Sequence, residues 1–308
     1  MKRRQFFTLT EKGMSIKARC KKAAMLVAVL VLPFTACTKD ESSAPQPQPE
    51  QGKVTLTTDW SDRTEGVDVP TSYNVSLGDY TGTATETVYG IDHQFQPGSY
   101  RLVVYNTATN IAVSGTTATV ASATGDGAGS FINSMPGCLF TNVQEVTIEK
   151  GGDHAVTARM KQQVRRLTLV IEPTGDAAPR IESMEGRLSC VAGSLDFADD
   201  THGTPSDVEL HFTKLTEGAD AGKWTATAWL LGTAGTGQKL TARLRFVDDN
   251  PLATTLESDL TTALAGFNGD KARPLSITGK LTDTPSEGGF TASIEDWETA
   301  NGGDTGAH

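Results

Sequence analysis

From residue 53 onward, hydrophobic and polar positions alternate with a period of two. Tyr73, Val75 and Leu77 fall on one face of a short run; Tyr100, Leu102 and Val104 fall on one face of another, with Arg101, Val103 and Tyr105 opposite. Successive side chains of an extended chain point to opposite faces, so this alternation predicts half-buried strands. Similar runs occur over 53–60, 83–90, 111–120, 143–149, 181–191, 207–214, 223–231, 239–247, 273–281 and 289–297. Gly78-Asp79, Pro97-Gly98, Asn106 to Asn110 and Gly151-Gly152-Asp153 punctuate them as turns. Many short strands between turn signals predict an all-β sandwich architecture. One stretch departs from the pattern: Leu256, Leu260 and Leu264 recur every four residues with Gly266 just after, which predicts one short helix closed by a glycine.

The longest regular stretch, 155–171, carries Val156, Ala158 and Met160 at its start and Leu167, Leu169 and Ile171 at its end, with a polar middle around Gln162 to Arg166. A chain that leaves one core near Gln163 and enters another near Leu167 reads this way. The length beyond residue 37 also exceeds a usual single core. The expected organisation is two tandem sandwiches, 53–165 and 166–308, the short helix belonging to the second.

The first 52 residues follow a different pattern. Eight basic residues between Lys2 and Lys22 precede the apolar run Ala23 to Leu32 and then Thr35-Ala36-Cys37. A bilayer-spanning helix needs about 20 apolar residues, and this run is half that, so residues 1–36 read as a signal peptide cut before Cys37. Small residues before a cysteine at the cut predict lipidation of Cys37. Several acyl chains bury enough methylene groups, at about 0.8 kcal/mol each, to anchor durably where one chain would not. Residues 37–52 form the tether, in which Pro45, Pro47 and Pro49 favour an extended, semi-rigid stalk. Thr38-Lys39-Asp40-Glu41 resembles the lipoprotein export signal of Bacteroidetes, a lysine and two acids beside the lipidated cysteine. It implies the outer face of the outer membrane as the destination.

Charge narrows the partners. The whole chain carries 27 basic and 37 acidic residues; loss of the signal peptide removes eight bases and one acid, leaving 19 against 36 and a formal charge of −17. Nucleic-acid binding requires basic surface to displace counterions, so it is not expected. Beyond Cys20 and Cys37, two cysteines remain, Cys138 and Cys190. Export is oxidising and they could pair, but they fall in different expected sandwiches, and two free thiols fit as well.

No constellation for catalysis is apparent. His93, His154, His202, His211 and His308 occur in no HExxH or His-x-His setting; there is no Gly-x-Ser-x-Gly elbow, phosphate loop or Cys-x-x-Cys. Gly125-Asp126-Gly127 and Gly232 to Gly237 follow no strand-to-helix junction and read as turns. Asp199-Asp200, Asp248-Asp249 and Glu295-Asp296 read as solvated loop acids rather than calcium ligands or a glycosidase pair. Trp60, Trp224, Trp229 and Trp297 lie in alternating strands and read as core rather than as a sugar platform. No metal, cofactor or enzymatic activity is expected.

Several strings, taken in order after the lipidation site, carry a resemblance: Thr55-Leu56-Thr57-Thr58-Asp59-Trp60; Phe95-Gln96-Pro97-Gly98-Ser99-Tyr100, followed by Val104-Tyr105-Asn106-Thr107; Leu139-Phe140-Thr141; Arg165-Arg166-Leu167-Thr168-Leu169; and Leu188-Ser189-Cys190-Val191-Ala192-Gly193. Together they resemble FimB-like fimbrial anchor and accessory subunits of Bacteroidetes, within the fimbrillin superfamily, over nearly the whole mature chain. Cys190 stands where that family pattern has glycine.

The resemblance implies two transthyretin-like β-sandwiches and an anchor or accessory role in a fimbrium, with other fimbrial subunits as partners and assembly by β-strand addition. In strand addition a donor strand supplies main-chain hydrogen bonds and alternating side chains to an open groove. On this reading Val54, Leu56 and Trp60 mark a first strand that is either removed or retained. Arg63 follows it as the protease-sensitive position. Phe290 and Ile294 mark a last strand that either exchanges or completes its own sheet. A ligand on a host or bacterial surface stays open, as does the competing class of a glycan-binding surface lipoprotein for nutrient uptake.

Overall fold

The computed structural model describes residues 50–121, 130–132, 134–175, 178–247, 253–286 and 289–299. Cys37, Lys39, Asp40 and Glu41 lie outside these residues. Twenty strands, numbered in chain order, make up the regular structure, and no α-helix occurs among the described residues. Among the described residues no helix is long and apolar enough to cross a membrane.

Two pairs of sheets enclose two hydrophobic clusters. In the first pair, a sheet ordered β10 (Gly152–Arg159), β1 (Gly52–Asp59), β4 (Val88–Phe95) shares a core with a sheet ordered β11 (Lys161–Gln162), β9 (Phe140–Ile148), β5 (Gly98–Tyr105), β2 (Tyr73–Leu77), β3 (Tyr80–Ala84). Leu56, Leu77, Leu102, Phe95 and Phe140 are all buried there. In the second pair, β18 (Ala253–Asp259), β17 (Lys239–Phe246), β13 (Ile181–Asp196), β14 (Thr201–His211) and β8 (Ser130–Ile132) form one sheet. The facing sheet runs β15 (Thr213–Lys214), β16 (Trp224–Leu230), β12 (Arg165–Pro173), β19 (Leu275–Ser286), β20 (Gly289–Thr299). Alternation in the sequence becomes alternation in burial: Tyr73, Val75 and Leu77 of β2 and Leu167, Leu169 and Ile171 of β12 are buried, and the residues between them are less so.

The chain crosses between the pairs twice. After β5 it leaves at Asn106, forms the hairpin β6 (Ile111–Ser114) and β7 (Thr117–Val120), then β8, and returns at Phe140. The hairpin pairs through β7 with β13, and β8 adds in parallel to the edge of β14. Ala118, Val120, Ile132 and Leu139 therefore belong to the second cluster although they precede residue 165 in sequence. Buried Asn106 closes the base of this excursion: its side chain accepts from the Phe140 amide (2.6 Å) and donates to the Cys138 carbonyl (3.0 Å). The outer face of β5 is covered as a result, and Val103 and Tyr105 pack against the second cluster.

The second crossing is the stretch 152–173, which passes through three sheets as β10, β11 and β12. Met160 is buried in the first cluster and Val164 in the second. The polar residues between and beside them, Gln162, Gln163 and Arg165, are also buried.

Residues 256–264 differ from the sequence expectation of a helix. Leu256 ends up on β18, and residues 261–268 form consecutive turns. Leu256 and Leu260 share a face in either geometry, because a spacing of four fits both 3.6 and 2. Ser258, buried between them, marks the period of two. Only one bond of the α-helical i to i−4 kind forms there, from the Leu264 amide to the Leu260 carbonyl at 2.9 Å.

Candidate functional site

Strand β1 is not an edge. It pairs in parallel with β10 from Gly52 to Asp59 and antiparallel with β4 on its other side. Val54 and Leu56 are buried along its inner face, followed by Thr58 and Trp60. The Trp60 ring meets Tyr73 and Phe140 edge-on at centroid distances of 5.9 and 5.6 Å, and its N–H donates to Thr58 Oγ1 at 2.9 Å. Burying each aliphatic side chain here stabilises by roughly 1.5–3 kcal/mol. Absence of β1 would leave two unpaired strand edges, β4 and β10, and an apolar trough between them. Any strand filling that trough needs apolar residues at every second position.

The loop leaving β1 is held at Arg63, Thr64 and Val67. Arg63 is exposed, yet its guanidinium donates to the carbonyls of Trp60 (2.7 Å) and Val67 (3.1 Å). Thr64 is only 4% exposed. Its amide donates to Gln162 Oε1 at 2.9 Å, its hydroxyl donates to the Ala272 carbonyl at 2.8 Å, and its carbonyl accepts from the Val67 amide at 3.1 Å. Gln162 Nε2 reaches the Thr64 hydroxyl and the carbonyls of Val164 and Lys271 at 2.7–3.0 Å. One buried amide thus gathers the loop after β1, the second crossing and the turn after residue 260.

A cationic group sits beside this knot. Lys271 is buried; its Nζ donates to Gln163 Oε1 at 3.2 Å and pairs with Asp200 at 3.3 Å. Burial pushes its pKa down, and Asp200 partly opposes that. His202 is nearby, its side chain 7% exposed, with Nδ1 3.0 Å from the Asp200 carbonyl. Burial first, and then the charge of Lys271, hold the imidazole pKa below 6.5. Arg165 donates to the carbonyls of Gly266, Phe267 and Arg273 and lies over the Phe267 ring at 5.2 Å. Arg165 thus satisfies three backbone carbonyls of the turns after residue 260. No cluster of metal-binding side chains occurs among the described residues.

The last strand, β20, pairs only with β19 and is the edge of its sheet; β18 is the edge of the facing one. A groove of about 620 Å³ opens beside their contact, lined by Asp259, Ser293, Ile294, Glu295 and Trp297 among others. Ile294 is buried. Phe290 pairs with Pro285 in the β19–β20 ladder, and its side chain lies outside the described part. A bulge interrupts the ladder where Gly279 faces Trp297. A side chain at Gly279 would meet the indole at 2.9 Å, so only glycine lets the ring lie there.

The two cysteines do not pair. Both are free, and burial raises the pKa of Cys138. Cys190 adopts φ = 57°, the left-handed region that favours glycine. Sequence reasoning missed Thr64, Gln162 and Lys271 as a unit. The available signal was two consecutive glutamines inside an otherwise apolar alternation, which reads equally well as a solvated boundary.

A profile of the family described as fimbrillin-A associated anchor proteins Mfa1 and Mfa2 matches residues 68–301. No curated protein sequence matches the chain. Among solved structures, the fimbrial anchor protein Mfa2 from Porphyromonas gingivalis is similar at 14% identity and TM-score 0.53, over 81% of this chain and 97% of that one. Two candidate adhesins from Bacteroides ovatus are also similar. One has 11% identity and TM-score 0.55, with 82% and 96% covered; the other has 16% identity and TM-score 0.50, with 76% and 90% covered. At these identities the structural likeness speaks for the fold; the profile, spanning most of the sequence, assigns the family. The chain belongs to the Mfa2 family of fimbrillin-A associated anchor proteins.

Proposed function

We propose that this protein is a lipid-anchored, surface-exposed and non-enzymatic anchor or accessory subunit of a fimbrium, joined to other subunits by β-strand addition. Cys37 carries the lipid, Lys39, Asp40 and Glu41 direct the chain to the outer face of the outer membrane, and the two sandwiches act as its two domains. The excursion from Asn106 to Phe140 straps the second domain to the first.

The observation that carries this reading is the state of β1. In an anchor-family chain, β1 fills its own trough, with a ladder on both flanks and Trp60 sealing its end. A subunit built this way keeps its amino-terminal end attached to its folded body, as a membrane anchor requires. Partner strands then have the edge strands β18 and β20 of the second sandwich to add to.

Metabolic labelling with a palmitate probe tests the anchor. Wild-type protein takes up label and Cys37→Ala does not, and mass spectrometry of the mature chain finds Cys37 still continuous with Thr64. An unlabelled wild-type protein, or a mature chain that starts at Thr64, rejects the reading. Joining by strand addition is checked separately: fibres bearing the protein should resist dissociation in detergent until boiled.

A further inference from the structure

We propose that Gln162 is a latch that keeps the Arg63–Thr64 bond closed to proteolysis. This deepens the anchor reading and rests on it for its purpose, which is to hold the lipid-bearing end on the folded body. Its geometry is independent of that reading.

An exposed arginine in a loop is ordinarily the first place an arginine-specific protease cuts. To be cut, the segment must detach, become extended over several residues on both sides, and insert the arginine side chain into the enzyme. Each requirement is opposed here. The Arg63 guanidinium is engaged by the carbonyls of Trp60 and Val67, so it closes the loop on itself. Trp60, three residues before it, is in the first core, and Thr64, directly after it, is 4% exposed.

The scissile amide nitrogen is the Thr64 N–H, and that N–H is the group Gln162 Oε1 accepts at 2.9 Å. Gln162 cannot turn away without cost. Its Nε2 holds the Val164 carbonyl at 2.7 Å and the Lys271 carbonyl at 3.0 Å, and these buried groups would lose their partner. The Thr64 hydroxyl adds a second hold on the Ala272 carbonyl. Exposure of Arg63 therefore does not amount to accessibility of its peptide bond. Cutting follows the rare opening of the Thr64–Gln162–Lys271 junction.

The test incubates the full-length chain, in detergent, with an arginine-specific protease and follows the fragment that begins at Thr64 by intact mass. Gln162→Ala should yield this fragment about tenfold or more faster than wild type. Thr64→Ala keeps the amide bond to Gln162 and loses the hydroxyl contacts, so its increase should be smaller, about fivefold. Ser258→Ala removes bonds to the Ile294 carbonyl and the Trp297 indole in the second sandwich without touching the junction; its rate at this bond should stay within about twofold of wild type.

Equal rates for wild type and both loop-contact variants overturn the latch. Cutting of Gln162→Ala at Arg101 and Arg159 as readily as at Arg63 overturns it too, since that pattern reports general unfolding. A wild-type protein that resists cutting but takes up no palmitate keeps the latch and rejects the anchor.

Discussion

The indole N–H of Trp297 donates to Ser258 Oγ at 2.8 Å, and the same hydroxyl donates to the Ile294 carbonyl. One small side chain on β18 thus fastens the edge strand of the opposite sheet at two points. Ser258→Ala leaves a buried carbonyl and an indole N–H without their partner. The expected loss is about 1–3 kcal/mol, read as a lower urea midpoint at unchanged slope. An unaltered midpoint means that water replaces the hydroxyl at no cost.

Leu56 is fully buried in the middle of β1. Leu56→Ala should cost about 2–5 kcal/mol, the loss of transfer energy plus an unfilled cavity. Val88 lies on the neighbouring β4 and is 55% exposed, so Val88→Ala should stay within about 0.5 kcal/mol of wild type. Thermal or denaturant melts of the pair distinguish a packed first strand from a loosely held one.

Cys190 pairs a side chain with a backbone conformation that penalises it. A left-handed non-glycine residue costs about 1–2 kcal/mol, while glycine adds about 0.5–1 kcal/mol of lost freedom on folding. The Cys190 thiol offsets little, through one contact of 3.4 Å to the Thr236 carbonyl. Cys190→Gly should therefore stabilise by about 0.5–1 kcal/mol, observed as a higher melting temperature; a lower one would show that the thiol contact outweighs the backbone strain.

His202 makes stability depend on pH. Its native pKa lies below 6.5 because burial and Lys271 disfavour the imidazolium, with Asp200 opposing. As pH falls through 6.5 the unfolded chain takes up a proton before the native chain does, so stability falls with pH until the native pKa is reached. His202→Asn should flatten that part of the stability profile, measured by denaturant melts between pH 7 and about 5. Lys271 has the same direction of shift at the alkaline end: its penalty is relieved as pH rises toward 10.5. Identical slopes for wild type and His202→Asn below pH 6.5 would rule out the imidazole as the source.

The strands were legible because alternation is a local property. Tyr73, Val75 and Leu77 and the run from Tyr100 to Tyr105 carry their burial pattern in their own order. The family pattern that the chain resembles has glycine at position 190, and the φ of Cys190 is one that glycine adopts freely. The helix over 256–264 misled because a spacing of four satisfies two periodicities, and only Ser258 separates them.

What pairs across distance could not be read. Thr64 and Gln162 are 98 residues apart, and nothing in either neighbourhood marks the other. The hairpin of β6 and β7 looks like any other pair of strands, and its attachment to β13 follows from topology alone. Gln162 and Gln163 interrupted an apolar pattern visibly, but polar residues at a boundary and polar residues sealed inside a junction look the same in a linear sequence.

The placement of β1 between two neighbours has a mechanical meaning. A pull on its amino-terminal end runs along the strand axis, while the bonds to β4 and β10 lie across it. Both rows are loaded in shear and must give way together, whereas a hairpin tugged from its open end would peel one bond at a time. A load applied at Gly52 would thus meet two full rows of bonds at once.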